Sequence, residues 1–345
     1  MTEKIIQKSK KLKVTLIIIA VIVVAIFTLR IINGVRFSVD PKLLGSYIVG
    51  GDMDAYPLEQ EGVTITPIKD EYVKGFRMIP DEKSKSGLIV MFGGSDGGVD
   101  FDHGVKLAKE GYEIVSLFYF GQENQPIHYN NVPLEFFKDF LDYAKTYNID
   151  TSPLTLIGIS KGAELTLTLS NYYDEIDNIV LYAPSSYVFQ GGDMMAKTSS
   201  WTYEGKELPY VKLLPSIFSI AKLYAPMVIN YPIAFREFQA NMILKSNNSE
   251  ETPNKAQIDI SNYNGNILIF AGADDQVWPA DVMGQMIKDS KPEKTELNIY
   301  PNAGHVFVPS SNFLGMANGG TISGNVKAQI DSESKLREFL RDHHK

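Results

Sequence analysis

An α/β fold on a mainly parallel sheet is what this sequence predicts, and three observations carry the prediction. From Leu88 onward short apolar runs alternate with amphipathic stretches, and strands that alternate with helices pack as a parallel sheet covered on both faces. One run, LTLIGI at 154–159, passes straight into Ser160 and then into a helical stretch at 161–170. Asp274, Asp275 and His305 stand just beyond the ends of two later runs, the side on which parallel sheets place their ligand sites.

Taken in order, the first element is separate from the rest. KIIQKSKKLK is followed by Val14 to Ile32, a run whose one charge is Arg30, near its far end. As a helix it is roughly 28 Å long, close to the hydrocarbon thickness of a bilayer, and Arg30 can snorkel to the interface. Lysines 4, 8, 10, 11 and 13 precede the run, against Arg30, Arg36 and Lys42 at or beyond it. That asymmetry predicts a transmembrane helix at 14–32 with a cytoplasmic N-terminus and an extracytoplasmic remainder in the cell membrane. A cleaved signal peptide is the competing reading, but no clear small-x-small site follows Phe27.

Residues 34–86 form a short extension in which GVTITPI and YVKGFRMIP read as a strand pair ahead of the main fold. The main domain spans 87–345. Its predicted strands are LIVMF, YEIVSLFYF, LTLIGI, NIVLYA, NILIFA and ELNIYP, and FDHGVKLAKEG and PLEFFKDFLDYAKTY read as helices between them. The rhythm breaks at 183–262, too long for a simple loop and read as a largely helical lid.

Composition narrows the function. The chain has 345 residues and a net charge of −8, with no basic stripe outside the N-terminus, which argues against nucleic acid as a partner. Zero cysteines exclude disulfides, thiolate metal sites, a cysteine nucleophile and a lipidated cysteine. The five histidines show no metal-ligand spacing, so neither a metal nor a cofactor is expected.

Strand, serine and immediate helix together form a nucleophile elbow. Small residues at 158, 162 and 163 let the backbone fold back sharply, lifting the Ser160 hydroxyl clear of the sheet. A serine nucleophile needs a base, and the base needs an orienting acid. The order Ser160, Asp275, His305 is that of the α/β-hydrolases. Asp275 is preferred to Asp274 as the acid on its spacing from Gly272, leaving Asp274 to bond turn amides. An oxyanion hole is expected from the Lys161 amide with that of Gly94 or Ser95 in MFGGSDGG. The Lys161 side chain reads as solvated or as meeting an anionic substrate. His343 and His344 read as solvated, and His103 and His128 lack a matching acid, so none of these four is given a role.

GISKGAEL, FGGSDGG, VPLEFFKDFLDYA, SWTYEGKELPYV, GADDQVWPA and YPNAGH together resemble the C-terminal catalytic domain shared by acyl-CoA thioesterases and the bile-acid-CoA:amino-acid N-acyltransferase, over about 87–345. The resemblance implies an α/β-hydrolase fold and a Ser160, Asp275, His305 triad acting on acyl thioesters or related esters. Relatives commonly carry an immunoglobulin-like domain ahead of this one, and 34–86 is too short for it. The expected activity is hydrolysis of a small-molecule acyl ester or thioester through acyl-Ser160. The alternatives are acyl transfer to an amine or alcohol, a serine peptidase of the same fold, and a binding protein on a hydrolase scaffold.

Overall fold

Apolar runs and helical stretches fold as their alternation predicts in the computed structural model, which describes residues 2–193, 195–213, 215–247 and 255–345. A long helix, α1 (Thr2–Arg36), leads through short 3-10 turns into β1 (Glu59–Gln60), β2 (Val63–Lys69) and β3 (Lys74–Pro80). Then come β4 (Leu88–Phe92), α2 (Phe101–Lys109), β5 (Ile114–Phe118), β6 (Val132–Pro133), α3 (Phe136–Thr146), β7 (Leu154–Ile159), α4 (Lys161–Leu169) and β8 (Asn178–Tyr182). The inserted segment holds β9 (Trp201–Tyr203), β10 (Lys206–Glu207), α5 (Ile217–Tyr224) and α6 (Arg236–Asn247). The chain closes with β11 (Asn266–Gly272), α7 (Ala280–Ser290), β12 (Thr295–Tyr300), the hairpin strands β13 (Asn312–Phe313) and β14 (Met316–Ala317), and α8 (Ile322–His343).

Nine strands form one sheet in the order β1-β2-β3-β5-β4-β7-β8-β11-β12. The six from β5 to β12 run parallel, and β1, β2 and β3 continue the sheet antiparallel. Every residue of β4, β5 and β7 is buried, as expected of parallel strands covered on both faces. Alternate residues of these strands feed opposite cores. Leu88, Val90, Phe92 and Leu156 pack with α3 and α4 on one face. Ile89, Met91 and Ile157 pack with Phe101 of α2 and Phe339 of α8 on the other. Strand β7 therefore lies near the middle of a rigid platform, and its C-terminal end carries Ser160.

Three expectations need correction. The strand pair at 62–80 does not precede the fold: β3 hydrogen-bonds to β5, with Met78 opposite Ile114, and so extends the main sheet. The segment 183–262 is not largely helical, although its residues 194, 214 and 248–254 lie outside the described residues. Besides α5 and α6 it holds β9 and β10, which join β6 in a three-stranded sheet. Prolines at 209, 215, 226 and 232 interrupt any longer helix there. His344 is buried, because α8 is long enough to bring it back to the central strands, where its Nδ1 lies 2.8 Å from Thr155 Oγ1 of β7. Burial pushes its imidazole down to about 4.

Candidate active site

Ser160 sits between β7 and α4 with φ 56° and ψ −115°, a conformation that costs a non-glycine residue about 1–3 kcal/mol. The glycines on either side make the turn possible. A Cβ at Gly158 would lie 2.2 Å from the Gly162 carbonyl oxygen, and one at Gly162 would lie 2.3 Å from the Gly93 carbonyl oxygen. The strained serine is held by the Ser160 amide, which donates to the Tyr182 carbonyl on β8 at 2.9 Å. Its own carbonyl accepts from the Ala163 and Glu164 amides, opening α4. The positive end of that helix consequently faces the serine.

His305 reaches this hydroxyl from the loop after β12. Its Nε2 lies 2.8 Å from Ser160 Oγ, and its Nδ1 lies 2.8 Å from Asp275 Oδ2. Asp275 is fully buried, and its second oxygen accepts the amides of Val277 at 2.7 Å and Trp278 at 3.1 Å. A buried carboxylate with all these partners is held in one orientation. Asp274 points elsewhere, accepting from the Gln276 side chain at 2.7 Å and the Gly320 amide at 2.9 Å. The two neighbouring aspartates thus have different jobs: one faces the histidine, and the other ties the acid loop to the segment before α8.

Sequence reasoning missed the residues that hold His305 in place. Asn318 is fully buried; its carbonyl accepts the His305 amide at 2.7 Å, and its side chain exchanges hydrogen bonds with the Val306 backbone at 2.9 Å. Asn325 of α8 accepts the Gly304 amide at 2.8 Å. Both asparagines lie in polar loop-like sequence, and only buried backbone groups needing partners explain them. Arg236 of α6 donates to the Asp275 carbonyl at 3.1 Å and to Asp281 at 2.8 Å, which fastens the inserted segment to the acid loop. Trp278 packs its ring edge to face against His305 with centroids 5.6 Å apart.

On the other side of Ser160 lies the glycine-rich loop after β4. Tyr119 donates its hydroxyl to the Gly94 carbonyl at 2.8 Å. Carbonyl and amide of one trans peptide point in opposite directions, so the Ser95 N–H is turned away from Tyr119. Asp96, whose carboxyl is raised by burial, lies against the Gly94 backbone and accepts the Gly98 amide at 3.3 Å. A Cβ added at Gly94 would stand 3.7 Å from Ser160 Cβ, so this loop borders the serine directly.

Lys161 departs from expectation, since its side chain is neither solvated nor open to substrate. It is buried, 2.6 Å from Glu164 and over the faces of Trp201 and Tyr129. Glu164 also accepts from the Phe189 amide at 3.1 Å and the Trp201 indole at 2.9 Å, so the pair joins α4 to the inserted segment. Burial drives the lysine down and the glutamate up, each toward its neutral form, while their attraction opposes both shifts. Replacing Glu164→Ala strands a buried ammonium and is expected to lower stability in urea unfolding by about 3–5 kcal/mol. A loss under ~1 kcal/mol would show that Lys161 finds water or another partner.

A cavity of about 200 Å³ opens onto Ser160 and His305, walled by Tyr47, Ile159, Val306, Phe313 and Met316 among others. A larger one, about 380 Å³, shares Tyr47, Ile159, His305 and Val306 with it and extends toward Asp100, Asp102 and Glu333. His103 does have an acid partner there, Asp100, at 3.2 Å. Both residues line this larger cavity together with His305.

Comparison with known proteins agrees with the fold and the motifs. Residues 132–345 match the family described as BAAT / Acyl-CoA thioester hydrolase C terminal, a match that begins after the glycine-rich loop. Acyl-coenzyme A thioesterase 1 of Mus musculus is 23% identical over 296 residues, covering 81% of this chain and 65% of the relative. The Mus musculus bile acid-CoA:amino acid N-acyltransferase is 24% identical over 322 residues, covering 87% of this chain and 71% of the relative. The chain thus spans about two thirds of these curated relatives. A Pyrococcus furiosus esterase superposes with a TM-score of 0.50 at 14% identity, over 82% of this chain and 92% of its own, a likeness of fold. The sheet order, the serine turn and the sequence match agree, and the chain belongs to the BAAT / acyl-CoA thioester hydrolase C-terminal family of α/β-hydrolases.

Proposed function

We propose that this chain is a serine hydrolase that cleaves an acyl thioester or carboxylic ester through an acyl-Ser160 intermediate. The observation that carries the reading is the unbroken chain of hydrogen bonds from Ser160 Oγ through His305 to Asp275. In the first step His305 Nε2 takes the hydroxyl proton as Ser160 Oγ bonds to the acyl carbon. The carbonyl electrons collect on oxygen and then expel the thiol or alcohol, which receives the proton from His305. Water, deprotonated by the same histidine, attacks the acyl carbon, and the bond to Oγ breaks as His305 returns that proton to Ser160 Oγ, releasing the acid. Asp275 holds the imidazole with Nδ1 protonated, and its buried negative charge stabilises the imidazolium.

The Lys161 amide belongs to the first turn of α4, where helix geometry leaves an N–H without an intrahelical acceptor. It serves as one oxyanion donor. Of the two candidates in the glycine-rich loop, the Ser95 amide is favoured, because Tyr119 turns that peptide and Asp96 lies against Gly94. Hydrolysis is favoured over transfer to an amine: an acyl-serine is an oxygen ester, whose aminolysis competes with water activated by His305 less well than that of a thioester. The test supplies p-nitrophenyl esters, acyl-CoAs and aminoacyl-nitroanilides to the full chain, with and without glycine, taurine or simple alcohols, and follows products by mass spectrometry. Free acid from esters or thioesters is expected. A conjugate that dominates and rises with acceptor concentration would make the protein a transferase, and preferential nitroanilide cleavage would make it a peptidase.

The helix Lys10–Arg36 is long and apolar enough to cross a membrane, and its apolar side chains are exposed. We read it as an uncleaved anchor with the lysine-rich end in the cytoplasm and the catalytic part outside. External protease on intact cells is expected to remove the catalytic part. Protection until lysis would reverse the topology, and a soluble form starting near residue 34 would make the segment a signal peptide.

A further inference from the structure

We infer that the segment Ile217–Ile229 is a second membrane contact, lying in the interface of the bilayer that α1 crosses, and that the site draws its acyl ester from that bilayer. The substrate half of this inference rests on the hydrolase reading above, and the location half rests on the anchor reading. The segment IFSIAKLYAPMVI carries one charge, Lys222, which pairs with Glu237. Leu223 packs inward, but other apolar side chains of the segment do not: Ile217 is 79% exposed, Phe218 83%, and Met227 and Val228 each 53%. An apolar surface of this kind marks an interaction site.

What covers it follows from how it is fastened. The Arg30 guanidinium of α1 donates to the Met227 carbonyl at 3.3 Å and the Val228 carbonyl at 3.1 Å, and Asn33 donates to the Ile229 carbonyl at 2.7 Å. In return Asn230 donates to the Arg30 carbonyl at 3.4 Å. A guanidinium on a spanning helix resides at the interface rather than in the hydrocarbon. The carbonyls it holds, and the apolar segment that bears them, are therefore at interface depth as well. A short helix with its apolar side chains turned outward at that depth buries them about 5–10 Å into the headgroup and acyl boundary.

The same end of α1 is tied to the wall of the cavity beside Ser160. Asn312 donates to the Phe37 carbonyl at 2.9 Å, and Phe37 packs on Tyr231 with ring centroids 4.7 Å apart. Two residues further, the Ile233 backbone bonds to both Gly315 and Ala317 of the β13–β14 hairpin. Phe313, Leu314 and Met316 of that hairpin line the cavity, and Leu314 is 43% exposed. An acyl chain leaving the bilayer beside α1 meets this hairpin first, and the cavity with Ser160 lies behind it.

Because the chain has no cysteine, a single introduced one takes a fluorophore at one place only. The full chain with Phe218→Cys, labelled with nitrobenzoxadiazole, is reconstituted in phosphatidylcholine–phosphatidylglycerol vesicles. Its emission should be quenched by lipids carrying a nitroxide near the headgroup and shielded from aqueous iodide. The same label at Ile330→Cys, an exposed position of α8, should respond in the opposite way. Iodide quenching at 218 equal to that at 330, or shielding at 218 without nitroxide quenching, as a protein partner would produce, overturns the membrane contact. The joint variant Ile217→Glu, Phe218→Glu should lower hydrolysis of dioleoylglycerol held in the vesicles at least tenfold while changing p-nitrophenyl acetate turnover less than twofold. Equal losses on both substrates, no loss on the vesicle-borne one, or no turnover of it by the unaltered chain overturns delivery from the bilayer. If the unaltered chain does not turn over p-nitrophenyl acetate, the hydrolase reading fails and the substrate claim with it, while the quenching still decides the membrane contact.

Discussion

Ser160→Ala is expected to lower turnover on the order of 10⁶-fold and to abolish labelling by a fluorophosphonate, with the fold unchanged. The size follows from chemistry: without Oγ no acyl-enzyme forms, and the residual rate is what the oxyanion donors and binding supply. The fold should survive because the strain at residue 160 belongs to its backbone, with φ 56°, and alanine bears the same strain without a larger side chain. Retained secondary structure by circular dichroism checks this. Labelling that persists at the original rate would place the nucleophile on another residue.

The second large effect separates two adjacent carboxylates. Asp275→Asn should cost about 10⁴-fold in kcat, whereas Asp274→Asn should cost less than about tenfold, chiefly through a loosened loop. The reason lies in the partners of Asp275. Its Oδ1 is held by the Val277 and Trp278 amides, so an asparagine there must keep its carbonyl on that side and turn its NH₂ toward His305. Facing a donor, Nδ1 becomes an acceptor and the proton moves to Nε2, which then cannot take the proton of Ser160. Asp274 makes no contact of this kind, since its oxygens accept from Gln276 and Gly320. Steady-state rates of the two variants on one p-nitrophenyl ester decide the matter, and the reverse ranking would falsify the assignment of the acid.

Much of this protein is determined by sequence alone, because the physics involved is local. Period and length of apolar runs place β4, β7, β8 and β11, since a strand buried on both faces has to be continuously apolar. Gly158 and Gly162 announce the serine turn because no side chain fits where the backbones of β7, α4 and the loop after β4 approach one another. The order of Ser160, Asp275 and His305 was likewise legible, each standing at the end of a strand whose C-terminal edge is the binding side.

Contacts between distant segments were decided only by the tertiary structure. Spacing from Gly272 favours Asp275 over Asp274 in the sequence, whereas the 2.8 Å approach of its carboxylate to His305 is a contact that only the fold supplies. Asn318 and Asn325 carry no mark in the sequence, because their role is to satisfy backbone groups of a loop some residues away. Lys161 read as solvated because a lone lysine at a helix start usually is, and its burial depends on Trp201 arriving from the inserted segment. That segment itself resisted prediction: β9 is a strand because β6, remote in the chain, runs beside it. Propensity and periodicity act over a few residues, whereas a buried polar group or a short strand takes its partner from wherever packing delivers one.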